Sequence, residues 1–132
     1  KQFDENIAIL HLFPGITQQV VHSVLSIEGL KAVIISTYGS GNAPTEEWFL
    51  KELENAVAKG IIVYDVTQCK SGSVNIGRYA TSSDLGRIGV VSGYDITVEA
   101  AVTKLMFLLG NYKDKTTITN LLTQSLRGEI TL

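Results

Sequence analysis

Apolar residues fall into short, nearly unbroken runs separated by stretches with helical spacing, and this pattern predicts the elements. Ile7-Ala8-Ile9-Leu10-His11-Leu12-Phe13 reads as a first strand, closed by Pro14-Gly15. Thr17 is placed to N-cap a helix running to about Leu25, with Val20, Val21, Val24 and Leu25 on its apolar face. Ala32 to Thr37 forms a second strand, followed by the loop Thr37-Tyr38-Gly39-Ser40-Gly41-Asn42-Ala43-Pro44. Thr45, with Glu46 and Glu47, marks an N-cap and an acidic first turn that complements the helix dipole. That helix is predicted to bury Trp48, Phe49, Leu53, Ala56 and Val57 and to stop at Lys59-Gly60. Ile61 to Val66 is a third strand, residues 67–86 a long polar loop, and Ile88-Gly89-Val90-Val91 a short fourth strand. Thr97-Val98-Glu99 opens an apolar helix to about Leu109, and a last helix spans roughly Thr117 to Leu126 before Arg127-Gly128.

Strands that are apolar on both faces and alternate with helices imply a parallel sheet covered on both sides. The expectation is one three-layer α/β/α domain over residues 1–132, with a mostly parallel sheet of about four strands. Composition agrees: 132 residues suit one domain, and 45% of them are hydrophobic, enough for a sizeable core. The net charge of −2 and singly scattered Lys and Arg favour neither nucleic acid nor an anionic membrane. No apolar stretch approaches the length of a membrane span, and none reads as a signal peptide. One cysteine excludes an internal disulfide and fits a reducing compartment. The chain opens on Lys1 rather than methionine, which leads us to expect a piece of something longer.

Candidate chemistry gathers in two loops. The glycine loop after the second strand and Thr67-Gln68-Cys69-Lys70-Ser71-Gly72 after the third both leave the carboxyl ends of buried strands, where open α/β sheets hold ligands. Gly39-x-Gly41 is not a dinucleotide fingerprint: the third glycine is missing, Pro44 occupies the region and no acidic residue is placed to hold a ribose. Asn42 fits a turn residue bonding its own backbone and a ligand-binding amide equally well. Cys69 reads as an inert, half-buried thiol, since no histidine neighbours it and Lys70 alone does little to activate it. His11 lies in an apolar strand and His22 on a helix, with no metal-ligand spacing, so neither a metal nor a cofactor is expected. Glu99 and Lys104 read as a surface pair in solvent. No Ser-His-Asp order, nucleophile elbow or phosphate loop appears. The residues by themselves describe a binding surface without catalytic machinery.

Six motifs then fall into register. Tyr38-Gly39-x-Gly41-Asn42-Ala43-Pro44, Thr67-Gln68-Cys69, Gly77-x-Tyr79-Ala80-Thr81 and Thr97-Val98-Glu99-Ala100, flanked by Phe13-Pro14-Gly15-Ile16 and Leu126-Arg127-Gly128-Glu129, resemble the C-terminal domain of cytoplasmic, type I bacterial L-asparaginases. The resemblance runs from about Asn6 to Leu132. It implies a parent that hydrolyses L-asparagine to aspartate and ammonia, with the nucleophilic threonine and its partners in a larger N-terminal domain. The present domain would pack on that N-terminal domain and build a homodimer or homotetramer. It would lend Asn42 to the neighbouring subunit's substrate site, near the substrate's α-amino group.

The resemblance further implies an allosteric asparagine site at Thr67, Gln68 and Cys69, with the thiol as a contact and not a nucleophile. The best-known allosteric members carry arginine where Ser36 aligns. An arginine holds a carboxylate bidentately and serine does not, which weakens an effector by about one to three kcal/mol and implies weak or absent asparagine cooperativity. Two alternatives stand beside this reading: a component of a tRNA-dependent, glutamine-forming amidotransferase, and a free-standing small-molecule binding module.

Overall fold

A computed structural model describes residues 3–13, 15–37, 47–67, 82–93 and 96–124. Along the chain these form β1 (Ile7–His11), α1 (Gln18–Leu25), β2 (Ala32–Thr37), α2 (Glu47–Ala58), β3 (Ile62–Thr67), α3 (Ser82–Ile88), β4 (Val91–Ser92), α4 (Val98–Asn111) and α5 (Lys115–Leu122). The strands make one parallel sheet in the order β1-β2-β3-β4. Successive strands are therefore neighbours. Crossovers of one hand between them must fall on the same side of the sheet. Val21 and Leu25 of α1, Phe49, Leu53 and Ala56 of α2 and Leu85 of α3 accordingly pack together on one face, against Leu10, Val33, Ile35 and Val63. The opposite face, with Ala32, Ile34, Ile62, Tyr64 and Val66, is left for α4 and α5, which bring Ala101, Leu105, Leu108, Ile118 and Leu122. The expected three-layer α/β/α architecture is the observed one.

Local chemistry fixes the helix starts. Thr17 accepts the Val20 amide, Thr97 the Ala100 amide and Asp114 the Thr117 amide, each satisfying a donor that has no partner inside its helix. Gly60, at φ +96°, ends α2 in a conformation that costs a side-chain-bearing residue strain.

Several elements differ from the pattern-based expectation. The first strand ends at His11, not Phe13, and the last helix spans Lys115–Leu122, two residues earlier at its start. Residues 82–88, expected as loop and strand start, form α3, and the fourth strand is only Val91–Ser92. A short run such as Ile88-Gly89-Val90-Val91 does not reveal its own period, and Gly89 turns the chain between α3 and β4. Val20 faces outward and is exposed, while Trp48 and Val57 are only half-buried.

Lys104 is the clearest correction. It is buried, not a surface partner of Glu99, and its ammonium donates to the carbonyls of Leu122 and Gln124. The Tyr64 hydroxyl donates to the same Leu122 carbonyl at 2.9 Å. A cation and a phenol thus satisfy the C-terminal end of α5, where the helix dipole favours positive charge.

Two substitutions test this packing. A Cβ added at Gly93 would lie 2.7 Å from Ile96 Cγ2 and 3.0 Å from Val66 Cγ1. Gly93→Ala is expected to cost about 1–3 kcal/mol in chemical denaturation. Lys104→Met, which keeps the stem and removes the donor, is expected to lose about 1.5–3 kcal/mol by the same assay.

Candidate functional site

The carboxyl edge of the sheet is set by register. Ile35 pairs with Asp65, Ser36 with Val66 and Thr37 with Thr67 along β2 and β3, while His11 of β1 pairs with Ser36 and Ser92 of β4 with Asp65. Because side chains alternate along a strand, Ser36 shares the α4 face with Ile34, and Asp65 shares the α1–α3 face with Val63. Polar side chains therefore stand on both faces of the sheet within one residue of each other, near the carboxyl ends of β2 and β3.

Of the residues expected to carry function, Ser36 is the one whose side chain is described. It is 1% exposed, and its hydroxyl has no hydrogen-bond partner. Thr67 is placed by its backbone, as the last residue of β3 opposite Thr37. Asn42, Gln68 and Cys69 lie outside the described residues, as do the motif at 77–81 and the segment at 126–129.

Sequence reasoning missed Asp65, which it treats only as part of a strand. This residue is 5% exposed, and its Oδ1 also lacks a partner. Burial alone pushes its carboxyl up to about 7, because ionisation there gives up hydration without a compensating charge. The available signal is its position: an acid two residues before a strand's end, in a run otherwise apolar. Two orphaned buried polar groups at one edge are uncommon in a native fold, where such groups are almost always bonded.

A second feature missed from sequence joins α1 to α2. The Glu52 carboxylate is buried, accepts Gln18 Nε2 at 3.2 Å and lies 3.0 Å from His22 Nδ1. Thirty residues separate His22 from Glu52, so no local pattern announces the pair.

The opposite, amino end of the sheet carries different chemistry. A groove of about 800 Å³ lies there, lined by residues that include Phe3, Asp4, Lys31, Tyr112, Lys113 and Ile118. The Lys31 ammonium bonds the Asp4 carboxylate, which this contact and the Asn6 amide hold below the usual range. The groove's Lys31 and Asp4 thus pair with each other, whereas at the carboxyl edge two buried groups remain unsatisfied. We place the candidate site at the carboxyl edge for that reason. Among the described residues, no helix is long and apolar enough to cross a membrane.

Comparison with known proteins agrees with this architecture. Residues 6–122 match the glutaminase/asparaginase C-terminal domain. The chain is 46% identical over 125 residues to L-asparaginase 1 of Escherichia coli K12, covering 95% of this chain and 37% of that protein. It is 32% identical to a component of the glutamyl-tRNA(Gln) amidotransferase of Thermococcus kodakarensis, covering 98% of this chain and 29% of that protein. The fold superimposes on L-asparaginase I from Vibrio cholerae with a TM-score of 0.89 at 40% identity, covering 99% of this chain and 39% of the other. The chain thus spans under two-fifths of the length of these relatives. With its four-stranded parallel sheet and its sequence match over nearly its whole length, the chain belongs to the glutaminase/asparaginase C-terminal domain family.

Proposed function

We propose that this chain is the C-terminal domain of an L-asparaginase that hydrolyses L-asparagine to L-aspartate and ammonia. The observation that carries the reading is the 46% identity to an L-asparaginase over 95% of the chain. In this reading the domain is a scaffold. It docks on its own N-terminal domain, builds a homodimer or homotetramer, and brings Asn42 to the substrate site of the neighbouring subunit. The catalytic nucleophile lies in the N-terminal domain. The domain acts on rate by positioning, since an amide held near the substrate's α-amino group fixes the reacting carbonyl relative to groups it does not itself provide.

The carboxyl edge supports a second, regulatory role within the same protein. Ser36, Thr67, Gln68 and Cys69 would form an effector site for L-asparagine. Support comes from the unsatisfied Ser36 hydroxyl and from the placement of Thr67 at the tip of β3. The proposed compartment is the cytoplasm, in line with a single cysteine that forms no internal disulfide.

The similarity to an amidotransferase component favours one rival, in which the ammonia released serves tRNA-dependent glutamine formation. The two readings separate on the whole protein. Ammonia release from asparagine by the whole protein alone supports the asparaginase reading, and release only when a second protein and tRNA are added supports the amidotransferase reading.

Two outcomes are expected. The 132-residue chain alone releases no ammonia from L-asparagine above background in a coupled assay, and turnover by the purified chain would contradict the assignment of chemistry to the other domain. In the whole enzyme, Asn42→Ala lowers kcat/KM by about 10- to 100-fold with folding intact, the range expected for one lost positioning hydrogen bond. Unchanged steady-state kinetics would remove Asn42 from the substrate site.

A further inference from the structure

Asp65 is a buried ionisable group at the carboxyl edge that neither the substrate-positioning role nor the effector role uses. Unlike buried Glu52 and Lys104, it has a side-chain atom with no hydrogen-bond partner. It lies on the face covered by α1, α2 and α3, between Ile35 and Ser92, two residues below the tip of β3. It is 5% exposed, with Oδ1 unpartnered. The charged side chains on the helices over this face have other surroundings. On α1, His22 faces Glu52 of α2. Also on α2, Glu47, Lys51 and Glu54 join Arg87 of α3 in lining an outer groove between the two helices. Just past α2, Lys59 donates to the Leu25 carbonyl. The Asp84 side chain of α3 lies outside the described residues. None of the described charges bonds Asp65 Oδ1.

We propose that Asp65 is a proton-operated positioning residue that regulates the carboxyl edge. Neutral, it fits the apolar layer under α2 and α3 and leaves the ends of β2, β3 and β4 in register. Ionised, it requires water or donors in that layer, which separates the helices from the strand ends and weakens ligand binding at the edge. This regulation rests on the effector reading given above, whose residues Ser36 and Thr67 sit on the same two strands.

The signs follow from linkage. Burial raises the folded-state value from 3.8 to about 7, so between these values the folded chain holds a proton that the unfolded chain has lost. The folding equilibrium constant therefore falls by up to about tenfold per pH unit from about pH 4 to about pH 7, and is level above that. Binding to the neutral form responds in a different window. It is constant below about pH 7 and falls about tenfold per unit above it.

The test uses the 132-residue chain and its Asp65→Asn variant, a neutral isostere. Carboxyl-carbon NMR reads the titration of Asp65, and L-asparagine is titrated against both proteins at about pH 6 and about pH 8. Asparagine keeps its zwitterionic charge over that range. The expected result is a midpoint near 7, about tenfold weaker asparagine binding to the wild type at the higher pH, and no pH dependence in the variant. A midpoint in the ordinary aspartate range, or the same loss of affinity in both proteins, overturns the proposal.

If neither protein binds asparagine at either pH, the effector reading falls. Amide exchange at residues 35–37, 65–67 and 91–92, corrected for its intrinsic pH dependence, then decides the role of Asp65. Faster exchange at the higher pH in the wild type alone supports proton-operated positioning, and equal behaviour of the two proteins contradicts it.

Discussion

β2 and β3 pair in parallel over six residues, with both faces covered, and the rest of the molecule depends on that pairing. Ala32, Val33, Ile34, Val63 and Tyr64 are almost completely removed from water, so this pair contributes strongly to both apolar layers. A parallel pair needs a crossover, and α2 supplies it on one face. The strand order β1-β2-β3-β4 leaves the other face to a separate hairpin of helices, α4 and α5. The hairpin is tied back to β3 through Tyr64 and to itself through Lys104, both ending on the Leu122 carbonyl. Each layer is therefore anchored to the central strands by apolar burial and, at α5, by the Tyr64 hydrogen bond, while the Lys104 bonds hold the hairpin together.

The same pairing determines what the domain can do. Register brings Ser36, Asp65 and Thr67 to one edge, and alternation distributes Ser36 and Asp65 to opposite faces. A covered parallel sheet has nowhere to hydrate a polar side chain in its middle. Unsatisfied groups are tolerable only near the strand ends, where loops or a ligand supply partners. Under the proposed function, the N-terminal domain carries chemistry and this domain carries geometry. A rigid sheet whose edge residues are fixed by six consecutive pairings suits the second task.

How much can be read from the sequence depends on whether the signal is local. β1, β2 and β3 announce themselves as apolar runs because they are buried on both faces, and Thr17 and Thr97 announce helix starts because capping is a matter of three residues. α3 does not. It has seven residues, of which the described side chains bury only Leu85, within a stretch rich in glycine and serine. Lys104 defies its sequence reading because lysine is almost always exposed, and its partner carbonyls lie about twenty residues further on. Asp65 and Glu52 belong to the same class. A carboxylate's burial is decided by what packs over it: nothing local marks Glu52, and for Asp65 the only sequence signal is the apolar run around it. The site motifs are readable by resemblance, and Asn42, Gln68 and Cys69 fall outside the described residues.

The central claim is that this domain completes a substrate site across a subunit interface. Mixed dimers of the whole enzyme test it most directly. One subunit would carry Asn42→Ala with an intact N-terminal domain, and the other an intact Asn42 with its nucleophilic threonine replaced. Each homodimer is expected to be inactive or strongly impaired, and the account predicts that mixing restores asparagine hydrolysis, because each mixed dimer regains one complete site. Activity no greater than the sum of the two homodimers would contradict it.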